Sequence, residues 1–274
     1  MDKVGDILML CESIQEPSEL ASLDRSKWKA NIKYDGERVG IVKKGSEVML
    51  FNRRSNILNY KFNEVVEAVK KIPFDFLIDT EIINIDNSVG GNFNLLSRRA
   101  LTKDKSKIAL LEKEIPVKAI VFDIISFSGK SYMNEPLSYR MEVLNDLMKF
   151  NTSESLEVVK FEEIDSCLKR VVEGEGEGIV IKKMDSCYES RRSKSWCKHK
   201  LFHETTITIT GFTENPAGIR ATDNQDNAVQ ISGNQSTEVK QILQSVGYAS
   251  INVQYLTKSK EGRMRFPSFR GLVK

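Results

Sequence analysis

The chain contains 274 residues, of which 40% are hydrophobic and 29% charged, and its net charge is +3. This length holds one large domain or two domains of unequal size, and the composition is that of an ordinary globular protein. No stretch approaches the roughly 20 apolar residues that cross a bilayer, and no basic-then-apolar segment follows Met1. We therefore expect neither a membrane partner nor a secretory signal. The four cysteines contain no C-x-x-C pair, which argues against structural zinc and favours a reducing cytoplasmic setting.

Strands and helices alternate through the first two hundred residues. Hydrophobic periodicity predicts strands at 29–33, 38–43, 47–52, 76–85, 117–127 and 178–183, and helices at 62–71, from 93 onward, at 137–148 and at 164–172. This order is typical of an α+β fold, an adenylation-type domain of antiparallel sheets flanked by helices, and not of βαβ repetition.

The composition changes after Phe202, where Thr alternates with Ile and Gly. Short strands are predicted at 205–213, 218–222, 228–232, 250–256 and 263–269, with one helix at 237–246. Short strands with a single helix indicate a small OB-type β-barrel. We therefore expect two domains, at 1–203 and 204–274, joined by a short hinge because no Pro/Gly-rich linker separates them.

Lys33 begins the hexapeptide K-Y-D-G-E-R, which ends at Arg38. A lysine is a poor nucleophile at its ordinary pKa of about 10.4, and burial or a neighbouring cation favours the reactive neutral amine. Gly36 would let the backbone approach a ligand closely, and Asp35 is a candidate to orient the lysine or a ribose. The alternative is an exposed hairpin turn, because Asp-Gly is a common turn dipeptide.

Carboxylates interrupt two otherwise apolar strands, at Glu81 and at Glu177. A carboxylate in a core costs several kcal/mol unless it is paired or binds a cation. Two such acids beside a nucleophilic lysine suit Mg²⁺, which combines a few carboxylates with substrate phosphates. Asp79 and Asp123 support the same interpretation less strongly. The alternative is that the acids end their strands at the surface.

Lys198 and Lys200 lie two residues apart, so a strand would place both on one face. Together with Lys182 they suit the charge that spreads over a phosphoryl group during transfer. The alternative is a solvated strand face. Phe122 is most simply a core aromatic, and its functional interpretation is a platform that stacks under a base.

Basic residues are concentrated in three segments, at 98–107, 182–200 and 258–274. Each segment alone is as well explained by solvated surface. Together they favour an anionic polymer, because backbone phosphates dominate nucleic-acid affinity and make it steeply salt-dependent. The expected nucleic-acid contacts in these segments are Arg98, Arg99, Arg191, Arg192, Lys194, Arg263, Arg265 and Arg270.

Five charged clusters follow one another in a fixed order: K-Y-D-G-E-R from Lys33, D-T-E from Asp79, F-D from Phe122, E-G-I-V-I-K-K from Glu177, and W-C-K-H-K from Trp196. This order and spacing resemble the covalent nucleotidyltransferase superfamily, and most closely ATP-dependent DNA ligases over about residues 5–203. K-Y-D-G-x-R is similar to the ligase form of motif I, and W-x-K-x-K to that of motif V. The chain also resembles the minimal two-domain ligases of bacteriophages and some prokaryotes. This resemblance implies a monomer that acts in the cytoplasm, or in the cytoplasm of the host cell if a phage encodes it.

The resemblance implies that Lys33 takes AMP from ATP and passes it to the 5′-phosphate of nicked duplex DNA, with Mg²⁺ or Mn²⁺ as the metal. It implies that Glu81 and Glu177 hold the metal, with the ribose as an alternative partner of Glu81, and that Phe122 stacks on adenine. The further nucleotide contacts that it implies are Asn31, Ile32, Arg38, Arg53, Lys182, Lys198 and Lys200. Of these, Lys198 and Lys200 would bind the α-phosphate, and Arg38 and Arg53 would contact the ribose and the nick phosphates.

The chain departs from the family pattern at two places. Asn31 occupies the position at which many members carry a glutamate that contacts the adenine amino group. The Arg-x-Asp-Lys sequence of motif VI is missing near the C-terminus, where Arg270 and Lys274 are candidate replacements, and slow self-adenylation is expected.

Three rival functions remain open. An RNA ligase and a GTP-using capping enzyme are the rivals within the superfamily, and a non-catalytic nick-binding module is the rival outside it. NAD⁺ is disfavoured as adenylate donor, because enzymes of that type carry an additional N-terminal domain and a zinc module.

Overall fold

The computed structural model describes residues 3–85, 90–258, 262–265 and 267–273, with only the backbone described at Pro17, Thr257 and Arg265. Lys274 lies outside the described residues. The chain divides into two compact units, Met1–His199 and Lys200–Lys274. The sequence placed this boundary between residues 203 and 204. No helix among the described residues combines the length and the apolar character that a membrane span requires.

The larger sheet of the first unit has the strand order β4-β3-β5-β6-β7, with β8 paired to β6. Its strands are β3 (Glu37–Lys44), β4 (Glu47–Asn52), β5 (Phe76–Asn84), β6 (Val117–Phe127), β7 (Lys130–Ser131) and β8 (Leu156–Val158). The central strands β5 and β6 are buried on both faces over most of their length. Their continuous apolar sequences are typical of such a position.

The smaller sheet of the first unit has the order β1-β10-β9-β2. Its strands are β1 (Leu10–Ser13), β2 (Trp28–Ile32), β9 (Gly178–Lys183) and β10 (Arg192–Lys200). The β1–β10 and β6–β8 pairs are parallel, so the expectation of purely antiparallel sheets was wrong at these two places. Both parallel pairs join segments that are distant in sequence, and local periodicity carries no information on such pairing.

Helices flank the sheets of the first unit. The α-helices are α1 (Pro17–Ala21), α2 (Asn63–Lys70), α3 (Phe93–Ala100), α4 (Lys105–Glu114), α5 (Leu137–Met148) and α6 (Ile164–Val172), and 3₁₀ helices lie at Val4–Ile7 and Asn59–Lys61. The sequence analysis treated the α4 region only as a basic segment. Its helix begins at the Asp104 cap, which accepts hydrogen bonds from the Ser106 and Lys107 amides, and it buries Ile108 and Leu111.

The second unit is a five-stranded sheet with the order β13-β12-β11-β14-β17, accompanied by one helix and a short hairpin. Its elements are β11 (His203–Asn215), β12 (Gly218–Asp223), β13 (Ala228–Ile231), α7 (Asn234–Val246), β14 (Ala249–Tyr255), β15 (Thr257–Lys258), β16 (Met264–Arg265) and β17 (Ser268–Leu272). The end strands β13 and β17 also contact each other. Its buried core contains Ile209, Val229, Val239, Ile251 and Val253.

The last predicted strand, at 263–269, is wrong as a single element. The structure has two strands there, because β16 pairs with β15 whereas β17 pairs with β14. Pro267 lies between them, and a proline has no backbone N–H to donate to a continuous ladder.

A buried ion pair joins α5 to the larger sheet. Arg140 donates from Nε to Asp123 Oδ1 at 2.7 Å and from Nη2 to Oδ2 at 2.9 Å, and both side chains have 0% exposure. The third guanidinium nitrogen donates to the carbonyls of Glu135 and Ser186. All polar atoms of the pair therefore have partners, as a buried charge pair requires.

Replacing Arg140 with Met should lower the free energy of unfolding of the first unit by about 3–5 kcal/mol, because Asp123 would remain buried without a counter-charge. Urea unfolding followed by tryptophan fluorescence measures this, since Trp28 and Trp196 both lie in the first unit. Lys149→Met, at an exposed pair with Asp146, is the control and should change the value by less than about 0.5 kcal/mol. The double variant Arg140→Met/Asp123→Leu should recover most of the loss. A single variant as stable as the control would contradict the assignment.

Candidate active site

A cavity of about 350 Å³ in the first unit is lined by strands of both its sheets. Strand alternation explains the contributions of β9, with Val180 and Lys182, and of β10, with Trp196 and Lys198, because side chains two residues apart share a face. The residues that line it are Leu10, Cys11, Asn31, Ile32, Lys33, Tyr34, Gly36, Arg38, Arg53, Glu81, Phe122, Val180, Lys182, Arg192, Trp196 and Lys198. The nucleotide contacts that the sequence assigned lie here, with the exception of Lys200.

Lys33 follows β2 directly and is fixed to the start of β9. Its backbone N–H donates to the Gly178 carbonyl at 2.8 Å, and its carbonyl accepts from the Glu177 amide at 3.1 Å. Its ammonium group forms an ion pair with the carboxylate of Glu177, which is buried. Burial lowers the pKa of Lys33, but Glu177, Glu81 and Asp35 outweigh this effect and raise the pKa above its ordinary value.

The sequence analysis named burial and a neighbouring cation as the two conditions that favour a neutral lysine, and of the main influences on the pKa of Lys33 in the described part of the chain, burial alone acts in that direction. The groups that surround the amine are carboxylates, which favour the charged form. The lysine is therefore an ammonium group in the ligand-free protein, and a proton must leave Nζ before it can act as a nucleophile.

Two neighbours of Lys33 in the hexapeptide stabilise the loop. Asp35 accepts a hydrogen bond from the Phe93 amide at 3.1 Å, and its own amide donates to Gly90. A Cβ atom at Gly36 would lie 2.2 Å from the Ile82 carbonyl oxygen. Glycine is required here for close packing against β5, so the close approach that the sequence suggested is to backbone.

Arg38 is held by a buried hydrogen-bond network. Its guanidinium donates to both oxygens of Asp79, at 3.1 Å and 2.6 Å, and Asp79 has 0% exposure. The Tyr188 hydroxyl donates to the same carboxylate at 2.6 Å and accepts from the Met9 amide at 3.0 Å. Asp79 and Asp123 thus bind arginines, which accounts for both without a metal.

Aromatic rings surround Lys182 on the cavity wall. Its Nζ lies 3.6 Å from the ring centroid of Trp196, 4.4 Å from that of Phe122 and 5.4 Å from that of Phe161. It donates to the Phe122 carbonyl at 3.3 Å. Burial lowers the pKa of Lys182 to about 8. The ammonium group holds the Phe122 ring in place, because a cation is attracted to the face of an aromatic ring.

Asn31 provides an unpaired acceptor at the cavity wall. The side chain is 4% exposed. Its amide nitrogen donates to the Ile32 carbonyl at 2.7 Å, whereas Oδ1 is buried without a hydrogen-bond partner among the described residues. An unpaired buried acceptor costs about 1–3 kcal/mol, so a ligand that donates a hydrogen bond at this point would be favoured.

The predicted metal ligands lie on either side of Lys33. Glu81 lines the cavity and Glu177 contacts the lysine. Burial raises the pKa of Glu81 to about 7, and the opposing effects of Lys33 and Arg38 are smaller. Among the described residues no group of three or more His, Cys, Asp or Glu side chains is placed to hold a metal. A metal held here by the two carboxylates would complete its coordination with waters and phosphate oxygens.

The two lysines of the last cluster are placed differently. Lys198 lines the cavity. Lys200 ends β10, is partly buried and is the first residue of the second unit.

The basic residues that were predicted to contact nucleic acid are mostly exposed. Arg53 and Arg192 line the cavity, Lys194 is exposed, and Arg98, Arg191 and Arg263 form surface ion pairs with Glu114, Glu189 and Asp226. Arg270 donates to Gln254, and the side chain of Arg265 lies outside the described residues.

Arg99 corrects the prediction. It has 0% exposure and donates to both oxygens of Glu64 and to the carbonyls of Lys61 and Ile115. Its position on the inner side of α3 makes it structural, so it is unavailable to DNA.

Tyr188 and Cys11 were not identified from the sequence. Tyr188 acts through Asp79, and Cys11 lies on the cavity wall in β1, the strand that pairs in parallel with β10. No local signal marks either residue, because each reaches the site through contacts between distant segments.

Comparison with known families gives one extended match. A family model described as the ATP-dependent DNA ligase domain matches residues 8–200. A DNA ligase of Saccharolobus islandicus is 29% identical over 213 residues, which cover 74% of this chain and 35% of that protein. A DNA ligase of Sulfolobus acidocaldarius is 30% identical over 211 residues, which cover 73% and 35%. The chain thus spans about a third of the length of these relatives.

Solved structures share the fold at lower identity. A Lig E DNA ligase, described as binding DNA with a minimal scaffold, has a TM-score of 0.71 and 17% identity, with 100% of both chains covered. The ligase domain of M. tuberculosis LigD has a TM-score of 0.62 and 20% identity, covering 97% of this chain and 94% of that one. The mixed, sheet-rich fold is therefore that of the nucleotidyltransferase-like ligases.

Lys182 should titrate near pH 8, which ¹³C NMR of the lysine ε-carbons measures, and the signal should disappear in Lys182→Met. The unfolded chain keeps the ordinary pKa of 10.5. Between about pH 8 and 10.5 the unfolded state therefore binds more protons, and this lysine makes the free energy of unfolding rise with pH. In Lys182→Met, this contribution to the increase of the free energy of unfolding between about pH 8 and 10.5 should be absent. Titration of Lys182 at its ordinary pKa would contradict the burial argument.

Proposed function

The chain belongs to the ATP-dependent DNA ligase family, and from this premise we propose that it seals 5′-phosphate/3′-hydroxyl nicks in duplex DNA through a lysyl-AMP intermediate on Lys33. The observation that carries the proposal is the position of Lys33 in one cavity with a base-stacking ring, an unpaired amide oxygen and the cations Arg38 and Lys198. These groups suit the nucleophile, the base and the phosphate of a nucleotide.

ATP fits the cavity through its base. The Phe122 ring offers a stacking face, and Asn31 Oδ1 is the acceptor for the exocyclic amino group of adenine. The amide nitrogen of Asn31 is already used by the Ile32 carbonyl. This hydrogen bond fixes the orientation of the amide, so the atom left for the ligand is the oxygen, an acceptor. An acceptor favours the amino group of adenine over the keto group that guanine carries at the same ring position.

In the first step, the lone pair of Lys33 Nζ attacks the α-phosphorus of ATP. A nitrogen–phosphorus bond forms, the bond to the bridging oxygen breaks, and pyrophosphate leaves with its electron pair. One proton must leave the ammonium group beforehand, and Glu177 is the carboxylate in contact with it. A second proton leaves the nitrogen to water as the nitrogen–phosphorus bond forms. Lys198 would neutralise phosphate charge in transfer. Mg²⁺, held by Glu81 and Glu177, would supply further neutralisation of phosphate charge.

In the second step, an oxygen of the 5′-phosphate at the nick attacks the phosphorus of the lysyl-AMP. The bond to Nζ breaks, and the nitrogen leaves with the bonding electron pair and takes up a proton, which restores the lysine amine. In the third, the 3′-hydroxyl attacks the 5′-phosphorus, loses its proton and expels AMP. Each step replaces one bond to phosphorus by another, so catalysis rests on positioning and charge neutralisation.

We also propose that the second unit is an OB-type barrel that contacts duplex DNA. Support comes from its five-stranded sheet, the position of α7 between β13 and β14, and the contact between the end strands β13 and β17. That contact brings the two edges of the sheet together, as closure of a small barrel requires.

The rival functions differ in measurable ways. A capping-type enzyme would form its adduct with GTP, an RNA ligase would prefer nicked RNA, and a non-catalytic nick-binding module would form no adduct. Comparing adduct formation with ATP and GTP, and then sealing of nicked DNA and RNA, separates all three from the proposal.

Lys33→Ala should abolish the protein–AMP adduct, which mass spectrometry detects after incubation with ATP and Mg²⁺. The matched control is Lys29→Ala, which removes the lysine four residues earlier, on β2, where it pairs with Glu163. The control should keep its adduct. An undiminished adduct in Lys33→Ala would refute the assignment of the nucleophile.

Asn31→Leu should raise the KM for ATP in adduct formation about tenfold, because one hydrogen bond to a buried amide is lost. An ATP analogue with purine in place of adenine lacks the amino group. For the wild type, the KM for this analogue should exceed the KM for ATP by a similar factor, whereas for the variant the two KM values should be equal. Equal discrimination by both proteins would show that Asn31 does not read the base.

A further inference from the structure

We propose that a second cavity, beside the first, binds the phosphate and nucleoside of a DNA strand end, with Lys61 and Lys103 as phosphate contacts and Ile57, Tyr60 and Leu101 as the apolar wall. The proposal rests on the function proposed above. This cavity has a volume of about 790 Å³ and lies entirely in the first unit, between the β4–α2 connection and the end of α3. Its size is that of sites that enclose a nucleotide-sized ligand.

Basic side chains outnumber acidic ones around the cavity, although one of them, Arg38, is already paired with the buried Asp79. Five basic side chains line it, Arg38, Arg53, Arg54, Lys61 and Lys103, against one carboxylate, Glu37. Glu37 accepts a hydrogen bond from the Asn52 amide at 3.0 Å. Cations clustered around a concave surface attract phosphate, because low-dielectric walls focus their field.

Lys61 is the most informative of the five cations. It is 8% exposed, and its ammonium group donates a hydrogen bond to the Ala100 carbonyl, a neutral acceptor. Burial lowers its pKa, Glu37 acts against this, and Lys103 adds to it. A buried ammonium beside another cation is costly unless an anion is nearby, and a bound phosphate would supply that anion.

Arg99 has a role behind this cavity. It donates to the Lys61 carbonyl at 2.7 Å and is itself held by Glu64. The arginine that the sequence assigned to DNA thus positions the backbone of a lysine that we assign to phosphate.

The apolar wall of the cavity is suited to contact the sugar and the base of the bound nucleotide. Ile57, Tyr60 and Leu101 are 46%, 42% and 73% exposed, which is high for large apolar side chains. Sugars and bases present apolar faces, and an aromatic ring at such a point stacks on a base. Cations and exposed apolar side chains in one cavity match a nucleotide unit better than a free inorganic phosphate.

The second cavity is continuous with the first through shared residues. Arg38 and Arg53 line both cavities. A strand end bound in the second would therefore lie beside the nucleotide phosphate bound in the first, as transfer of AMP to the DNA requires.

The test uses the full chain and a nicked duplex with a dideoxy 3′ end, which prevents sealing. Lys61→Met and Lys103→Met should each weaken binding about 3–10-fold and reduce the salt slope of log K by about 1, while the adduct with ATP forms normally. Lys103 and Arg54 are exposed, so Lys103→Met and Arg54→Met test the cavity even if Lys61→Met does not fold. Lys149→Met, an exposed charge outside both cavities, is the matched control and should change neither value.

A nick with a 5′-hydroxyl distinguishes two sources of the phosphate. If the variants lose their effect on this nick, the terminal phosphate occupies the cavity, and if the effect persists, a backbone phosphodiester does. Affinity and salt slope equal to those of Lys149→Met would overturn the proposal, as would a parallel loss of adduct, which would assign the cavity to ATP. Absence of an adduct in the wild type would instead contradict the proposed function.

Discussion

The ion pair between Lys33 and Glu177 joins residues 144 positions apart in the sequence. It forms where β2 pairs with β9, and backbone hydrogen bonds on both sides of it fix its position. A buried charge is stable only beside an opposite charge or a bound ion, so each charge in this wall requires the other. The same constraint recurs deeper in the unit, where Asp79 holds Arg38 and Asp123 holds Arg140. Satisfying these charges fixes how the two sheets present their side chains to the cavity.

The constraint also sets the resting state of the nucleophile. Carboxylates keep Lys33 protonated, so the amine is held in place but is unreactive until its proton leaves. Lys182 has the opposite environment, because burial lowers its pKa to about 8, while the ring of Trp196 lies against the ammonium group. The pKa values of two lysines on one cavity wall are therefore shifted in opposite directions, upward for Lys33 and downward for Lys182. Their different environments also separate their roles, one at the reacting phosphorus and one beneath the base-stacking ring.

The two cavities give these groups a spatial order. Arg38 and Arg53 belong to both, and Arg38 is fixed through Asp79 and Tyr188 to the N-terminal segment at Met9. A guanidinium held by two carboxylate oxygens loses little freedom when it binds a phosphate, which is the advantage of a preorganised site. Nucleotide and strand end can thus bind in neighbouring places with a common pair of cations between them.

Most elements followed from local periodicity. The strands β4, β6 and β9 were predicted with the bounds that the structure has, and most other helices and strands of the first unit within a few residues. Local sequence did not reveal the short elements β1, α1, β7 and β8. It also did not reveal α4, whose apolar face is short, or the break at Pro267 that divides β16 from β17. For the site, the family resemblance implied Asn31 and Lys33 as nucleotide contacts, and both line the cavity in the structure. Arg99 was misassigned because a charged residue near other basic residues gives no indication of whether its helix face is buried.

The sequence by itself determined which chemical groups are present and in which order along the chain: the lysine of the hexapeptide, the acids in apolar strands and the final pair of lysines. Only the tertiary structure decided which of them meet. The pairing of Lys33 with Glu177, the aromatic surroundings of Lys182, the unpaired oxygen of Asn31 and the burial of Arg99 all depend on contacts between distant segments. Burial and nearby charge set the protonation and the availability of a side chain, and both are properties of the folded neighbourhood.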